Sequence, residues 1–470
     1  MFTAQKYSLQ ECYAIYLCAQ INSMLNILVI GAGRSTGSLI QYLIQKAENA
    51  NWHIVVADQN LELAQSKVKQ MSRGEAIALD VRDDISRVHA ISKADIVVSM
   101  LPAHMHVQVA EDCIALRKHM VTASYISPEM EALDARAKEA GVILLNEIGV
   151  DPGVDHLSAM KVIDEIRKEG GEMTLFESFT GGLPAPGSDH NPWKYKFTWN
   201  PRNVVLAGAG GAVKFRQEDQ YKYIPYHKVF RRTEIIEVGD YGRFEGYANR
   251  DSLKYRKVYG MEDISTIYRG TLRRPGFCRA WATLVSLGMT DDNYQIAHSA
   301  DMTYRQFTNL FLAYHPTDSV ELKFMHYLNI PQDSDLMEKI DWLGLLDSDP
   351  IGLENATPAQ ILQKRLEEKW KMNEGDKDMI VMHHKFGYRL KDELKMKVSS
   401  MVTLGEDELN TAMGKTVGLP VGIATRLIIE GIIHSPGVQL PITPEIYNPM
   451  LAELAEFGIV FDEQDIQYTT

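Results

Sequence analysis

The readable pattern begins with an apolar run that ends in glycines: Ile27 to Gly37 is ILVIGAGRSTG, and a second run, His53 to Ala57, ends at Asp58. Short runs rich in β-branched residues recur at EAIALD up to Asp80, DIVVSML from Asp95, HMVTA from His119 and VILLN from Val142, and these read as strands. Helical spacing between them predicts helices near 37–49, 59–72, 104–117 and 128–140. The last opens on Ser127-Pro128, an N-cap followed by a first-turn proline. Strands alternating with helices at this pitch predict an α/β doubly wound parallel sheet. Functional residues of such a sheet lie at the carboxyl ends of strands, here Gly31–Gly37, Asp58, Asp80-Val81, Ser99–Pro102, Ser124-Tyr125 and Asn146–Gly153.

The texture changes from about Gly171. EMTLFESF, KYKFTW and NVVLAG read as strand-like pieces between Gly/Pro-rich loops such as GGLPAPGSDHNP, which predicts a more open sheet. From about Trp281 to Lys371 the apolar positions are periodic and β-branched runs are few, predicting a helical insertion. GLPVGIATRLIIEGII, near the end, reads as a helix that packs back on the first domain.

Chemistry enters with the glycines. A strand that turns on Gly31 and lets backbone approach a ligand at Gly33 frees the next helix N-terminus to hold a pyrophosphate. Thr36 occupies the third glycine position of the commoner fingerprint and Gly37 follows it, so the spacing is GxGxxxG. An acidic residue about 20 positions beyond the glycines sits where a carboxylate binds the adenosine ribose diol. Asp58 therefore points to a Rossmann dinucleotide site and to NAD over NADP, because its charge repels a 2′-phosphate.

At 470 residues and 45% hydrophobic content the chain is long enough for two or three domains with real cores. A net charge of −13 without a long basic run argues against nucleic-acid binding, which rests on clustered Lys and Arg. Cys12, Cys18, Cys113 and Cys278 fall at no metal-ligand or disulfide spacing, so a reducing cytoplasm and no metal are expected. No apolar run is read as long enough to cross a bilayer. Residues 1–23 have neither a basic n-region nor a clear cleavage site and are read as a lead outside the fold, Met24 standing one residue before the first strand.

Arg269, Arg273, Arg274 and Arg279 crowd the segment YRGTLRRPGFCR, preceded by Arg250 in GYANRDS. In an acidic protein such forks suit carboxylates or phosphates, the plain alternative being a solvated stripe. Together with SMLPAHMH, TASYISPEM, NEIGVDPGVDHLSAMK, GGLPAPGSDHNPWKYKFTW, RGTLRRPGF and MHHKF, in that order from about Leu25 to near the C-terminus, the chain resembles the glutamate-forming saccharopine dehydrogenases.

The resemblance implies a Rossmann domain at 25–150, a substrate and dimerisation domain at 151–280 and 376–412, a helical insertion at 281–375, and a segment at 413–470 returning to the first domain. It implies interconversion of saccharopine with glutamate and 2-aminoadipate 6-semialdehyde by nicotinamide hydride transfer, in a homodimer. Cofactor contacts are then Gly31, Gly33, Arg34, Ser35, Thr36, Gly37, Asp58, Asp80, Val81, Leu101, Pro102, Val150 and Pro152. Substrate contacts are Ser124, Tyr125, Arg250, Thr271, Leu272 and Arg273. Asp151 is the candidate acid/base, beside Tyr125 and Thr180, with helix capping as its structural alternative. Thr180 stands where fungal members carry a cysteine in SYCGG, and Asp58 departs from the NADP that the family leads one to expect. A carboxynorspermidine dehydrogenase or another opine-type imine reductase is the alternative enzyme, and a non-catalytic NAD sensor the alternative class. His104 and His106 read as cofactor or substrate contacts or as helix caps, His156 as ordering the DPG turn, His383-His384 as strand residues, and Tyr195 and Trp199 as packing; Lys194 and Lys214 carry no role.

Overall fold

The apolar runs assemble into two units, residues up to Leu157 with Gly414–Leu454, and Ser158–Met413 with the residues from Ala455 on. This is a computed structural model, and it describes residues 24–69, 71–207 and 211–467. The lead 1–23, with Cys12 and Cys18, lies outside the described residues.

In the first unit β1 (Leu25–Ile30), β2 (Trp52–Asp58), β3 (Gly74–Ala78), β4 (Ile96–Ser99), β5 (His119–Val121) and β6 (Ile143–Leu145) form a parallel sheet in the order 3-2-1-4-5-6. That is the Rossmann order, with its reversal between β1 and β4. The helices between them are α1 (Gly37–Ala50), α2 (Leu61–Val68), α3 (Asp84–Ser92), α4 (His106–Leu116), α5 (Pro128–Glu131) and α6 (Asp134–Ala140), and α7 (Val154–Lys168) follows β6. The single helix expected over 128–140 is broken at Ala132-Leu133, and that expected over 59–72 is confined to Leu61–Val68, its N-cap Asn60 accepting the Leu63 N–H at 3.2 Å.

The C-terminal segment adds a seventh parallel strand, Gly437–Gln439, beside β6. The helix Ala412–Ile429 packs on α1, where a Cβ at Gly418 would lie 2.9 Å from the Leu39 nitrogen and one at Gly422 2.7 Å from the Tyr42 ring. This helix corrects the membrane reading: its 18 residues have mean hydropathy 1.2, enough by length and composition to span a bilayer, but 72% of them are buried within the fold. The attachment is completed by polar bonds. The Tyr42 hydroxyl donates to Glu453 at 2.8 Å and accepts from Arg426 Nε at 3.0 Å, while Arg426 also pairs with Glu453. The segment expected to return as 413–470 does so only to Leu454; Asp462–Ile466 pairs instead with a strand of the second unit.

In the second unit β7 (Glu172–Pro184), β8 (Val213–Gln217), β9 (Gln220–Ile224), β10 (Thr233–Glu237), β11 (Arg243–Ala248), β12 (Thr266–Arg273), β13 (Asp378–Leu390) and β14 (Glu393–Leu404) build a mixed sheet in the order 10-11-12-7-13-14, closed by Asp462–Ile466, with β8 on β12 and β9 on β8. Two expected strands are absent. Asn203 to Val205 of NVVLAG lie on a helix, Pro201–Val205, because Asn200 caps it through the Arg202 and Asn203 N–H groups and Pro201 takes the first turn, and Gly208 lies outside the described residues. KYKFTW runs without a ladder, its aromatic side chains buried instead. The helices of the insertion belong to this same unit rather than to a domain of their own. Trp193, Tyr195, Phe197, Phe277, Trp281 and Trp370 form one aromatic core, with Tyr195 and Trp370 centroids 5.0 Å apart and Trp193 Nε1 donating to the Lys339 carbonyl at 2.9 Å.

Removing Glu453 leaves Arg426 paired with Glu430 alone and takes away the acceptor of the Tyr42 hydroxyl, so Glu453→Ala is expected to cost about 1–3 kcal/mol, and Tyr42→Phe about 1 kcal/mol, in urea unfolding. Equal stability of Glu453→Ala and the parent chain would show that the C-terminal helices are held by apolar packing alone.

Candidate active site

β1 delivers the chain to the carboxyl edge of the sheet at Gly31, whose φ is +104° and whose Cβ, if it had one, would lie 2.7 Å from the Met100 carbonyl oxygen. Only glycine meets both conditions. Gly33 faces open space, with nothing within 4 Å of a Cβ placed there. Arg34, Ser35 and Thr36 make a single 3-10 turn; Thr36 is buried and its hydroxyl bonds back to the Gly33 carbonyl at 2.8 Å. The N-cap residue of α1, Thr36, makes no side-chain bond to the first N–H groups of the helix, the groups that can meet an anion at such a position.

Asp58, at the tip of β2, is tied into the same turn. Its Oδ2 accepts the Ala32 N–H and its Oδ1 the Asn60 N–H, each at 2.8 Å. Asp80 is occupied differently: Arg82 grips it through Nε at 2.9 Å and a terminal nitrogen at 2.7 Å, which holds the carboxyl down at about 2. Val81 is buried and offers its carbonyl to Arg87 at 2.7 Å; Leu101 is half-buried and Pro102 exposed, beyond the end of β4.

Past β5 and β6 the chain builds a second cluster. The Tyr125 hydroxyl donates to Asp151 Oδ1 at 2.9 Å, so the structure joins the expected acid/base with its expected neighbour. Asp151 is half-buried between buried Val150 and Pro152, and the Asp151–Pro152 peptide is cis. Gly153 has φ +147°, and a Cβ there would stand 2.1 Å from the Gly149 carbonyl oxygen, so the DPG turn folds directly onto Gly149.

Glu147, not singled out from the sequence, holds the cluster together. Its Oε1 accepts the Ile126 N–H at 2.9 Å, its Oε2 bonds His156 Nε2 at 2.8 Å, and its own N–H donates to the Ser124 carbonyl at 3.1 Å. Glu147 and His156 are both fully buried, and they link the Ser124–Ile126 segment to the helix that follows Asp151. Acidic Glu147 nine residues before His156 was the available signal. His106, expected as a contact or a helix cap, puts its backbone N–H on the Ala103 carbonyl at the end of the Ala103–Met105 turn; its ring lies between Ser99 and Ser124, and burial, with His104 nearby, lowers it to about 4.

The second unit gathers a different set. Alternation along β12 puts Arg269, Thr271 and Arg273 on one face, and register places Thr271 beside Thr180 of β7. The Thr180 hydroxyl is buried without a hydrogen-bond partner among the described residues, while Thr271 Oγ1 accepts from Asn249 at 2.9 Å. Leu272 is buried on the opposite face, its carbonyl accepting from Arg273 at 2.9 Å. Arg273 is 4% exposed, stacked 4.9 Å from the Tyr195 ring and 5.4 Å from Phe277, and forms no ion pair among the described residues. Arg250, exposed with φ +51°, lies where β11 ends. Arg274 instead bonds the Tyr241 carbonyl at 2.8 Å, Arg269 stacks 4.1 Å over Tyr255, and Arg279 faces solvent, so the sequence cluster of arginines does not form one grip.

Residues 27–145 match the family described as the saccharopine dehydrogenase NADP binding domain, and residues 149–459 the saccharopine dehydrogenase C-terminal domain. The chain is 33% identical over 452 residues to a saccharopine dehydrogenase [NADP(+), L-glutamate-forming] of Schizosaccharomyces pombe, covering 94% of this chain and 99% of that protein. It is 32% identical over 461 residues to the mitochondrial alpha-aminoadipic semialdehyde synthase of Mus musculus, covering 93% of this chain and 47% of that protein. Among solved structures it resembles the apo saccharopine dehydrogenase (L-Glu forming) of Saccharomyces cerevisiae, with TM-score 0.85, 31% identity, and 94% and 100% of the two chains covered.

The buried imidazole at 106 makes a stability prediction. Unfolded histidine protonates near 6.5 but His106 only near 4, so the unfolded state binds the extra proton first as pH falls, and stability is lost from pH 6.5 down to about 4. His383, also lowered to about 4 by burial, adds to the same slope. His106→Gln is expected to remove about 1.4 kcal/mol per pH unit of that slope in denaturant titrations between pH 6 and 4.5. An unchanged slope would mean His106 titrates normally.

Proposed function

The chain belongs to the saccharopine dehydrogenase family, and from that premise we propose that it interconverts saccharopine with L-glutamate and 2-aminoadipate 6-semialdehyde, an oxidoreduction at a CH–NH group. Its cofactor is a nicotinamide dinucleotide, which fits the turn at Gly31, the open approach at Gly33 and the uncapped start of α1. That cofactor supplies the hydride acceptor or donor. The observation that carries the substrate reading is Arg273, a guanidinium buried among aromatic rings without a carboxylate partner among the described residues. A buried charge without a counter-ion is costly, and a substrate with three carboxylates supplies one.

In the oxidative direction, the carbon on the aminoadipate side of the secondary amine loses a hydride and the nitrogen a proton, leaving an imine. Water adds to form a carbinolamine, whose C–N bond breaks to release the glutamate amine and the aldehyde. Asp151 takes and returns the protons of these steps, and Tyr125, bonded to its Oδ1, holds it in place. Arg250, Arg273 and Thr271 hold substrate carboxylates, Ser124 contacts the substrate beside the nicotinamide, and Thr180 offers its unpartnered hydroxyl where fungal relatives have a thiol.

We assign NAD⁺ as the preferred cofactor, against the NADP(+) in the relatives' names. The support is local: Asp58 presents a carboxylate at the ribose position, and the Asp58–Leu63 stretch adds Glu62 and no basic residue. A homodimer and a cytoplasmic location complete the reading, the first supported by Ile235, 48% exposed on β10, which pairs on one side only, and the second by free, buried Cys113 and Cys278.

The test is the rate of saccharopine-dependent nicotinamide reduction, with glutamate identified as product. Asp151→Asn is expected to lower kcat about 10²–10⁴-fold. Asp58→Ser is expected to shift kcat/KM toward NADP⁺ by tenfold or more, about 1.4 kcal/mol. A parent chain that prefers NADP⁺ would overturn the cofactor assignment while leaving the reaction standing. Absence of turnover with saccharopine, in a protein that still binds NADH, would overturn the reaction.

A further inference from the structure

Ser99 ends β4, His106 starts α4, and Ser124 follows β5; three separate elements thus converge on one imidazole. Ser99 Oγ lies 2.8 Å from His106 Nδ1, and Ser124 Oγ lies 2.7 Å from Nε2. Thr122 Oγ1 stands 3.5 Å from the same Nε2 and accepts the Ser124 N–H at 3.3 Å. Ser99 and His106 are buried, at 0% and 3% exposure, whereas Ser124 is half-buried. The row therefore has one closed end and one open end.

A ring that stays neutral down to about pH 4 carries one N–H and one lone pair at working pH. With Ser99 at Nδ1, Ser124 at Nε2 and the Leu101 carbonyl also in hydrogen-bond reach of the ring, one ring nitrogen donates and the other accepts, so the row has a direction. A lone serine hydroxyl rotates among staggered positions and meets a ligand in whichever suits it; a serine bonded to a locked ring has its rotamer set before the ligand arrives. The ring itself is locked from behind by Ser99 and by its place at the first residue of a helix.

We propose that His106 is a positioning residue for the reaction: its Nε2 fixes the Ser124 hydroxyl in the orientation that meets the substrate. This rests on the reading of Ser124 as a substrate contact. His106 touches neither substrate nor cofactor in this role. Its contribution is preorganisation, which is realised only through Ser124 and vanishes when that hydroxyl is absent.

Two amide substitutions separate the role from general packing. The side-chain amide introduced by His106→Gln reaches the Nε2 position and keeps the bond to Ser124, whereas that of His106→Asn reaches only the Nδ1 position beside Ser99. Steady-state kinetics with saccharopine on H106Q, H106N, S124A and the H106N/S124A double variant is compared with NADH affinity by fluorescence and with thermal midpoints. The expected result is a loss of about 10–100-fold in kcat/KM for S124A and a similar loss for H106N. The double variant is expected to be no worse than S124A, H106Q to stay within about threefold of the parent, and NADH affinity to hold throughout.

Losses that multiply in the double variant, or an H106N as active as the parent beside an impaired S124A, would overturn the positioning role and leave the Ser124 reading intact. An S124A as active as the parent would overturn the reading of Ser124 itself. Equal impairment of H106Q and H106N with lowered thermal midpoints in both would assign the residue to packing and overturn the proposal.

Discussion

Everything in the nucleotide-binding unit depends on a clearance of less than one side chain between β1 and β4. These neighbouring strands leave the sheet at its reversal point, their loops turning to opposite sides, and Gly31 passes so close to the Met100 carbonyl that a Cβ would stand at 2.7 Å. The left-handed φ of Gly31 then aims the chain into the turn that starts α1. A crevice opens there because the two loops diverge, which is why ligands of doubly wound sheets lie at such points. Asp58 fastens the same turn from the next strand through the Ala32 N–H, so the acidic strand tip proposed to read the ribose also supports the glycine loop.

In the same unit, fully buried polar groups tie backbone segments together, and the half-buried Ser124, Tyr125 and Asp151 are the groups left with access to solvent. Glu147 and His156 have no access to solvent and serve only to set the distance between two backbone segments, one carrying Ser124 and Tyr125, the other Asp151. The second unit follows the same division. Its sheet buries Arg273 against Tyr195 and Phe277, where low polarity strengthens any charge-assisted bond the guanidinium makes. Tyr195 also belongs to the aromatic core that joins the helices of the insertion to the sheet, so the packing of Arg273 and the packing of the insertion share a side chain.

The first sheet was legible because its signals are local: β-branched runs, glycine punctuation and an acidic strand tip each state their role within a few residues. The second was less so. NVVLAG has strand composition, yet an N-cap Asn200 and Pro201 decide for helix, and KYKFTW alternates like a strand although its rings are claimed by Trp370 and Phe277, far along the chain. The site split along the same line. Gly31, Asp58 and Asp151 announce themselves by motif, whereas the His106–Ser124 and Glu147–Ile126 bonds span 18 and 21 residues of sequence, which no local pattern encodes. The arginine run misled in part because alternation along a strand sends adjacent residues to opposite faces, leaving Arg273 buried and Arg274 bonded to the Tyr241 carbonyl.

The seventh strand gives the order of events during synthesis a physical meaning. β6 is complete at Leu145, but Gly437–Gln439, which covers its outer edge, emerges roughly 290 residues later, about 15–60 s at 5–20 residues per second. Through that interval the nascent nucleotide-binding sheet carries a bare, apolar edge while Ser158–Met413 of the second unit is being made. A ribosome that stalls, or a message that ends early, in the second unit therefore releases a product whose first domain is unfinished, with an edge open to pairing with other chains. Completion of the amino-terminal unit thus waits on residues more than four hundred positions into the chain.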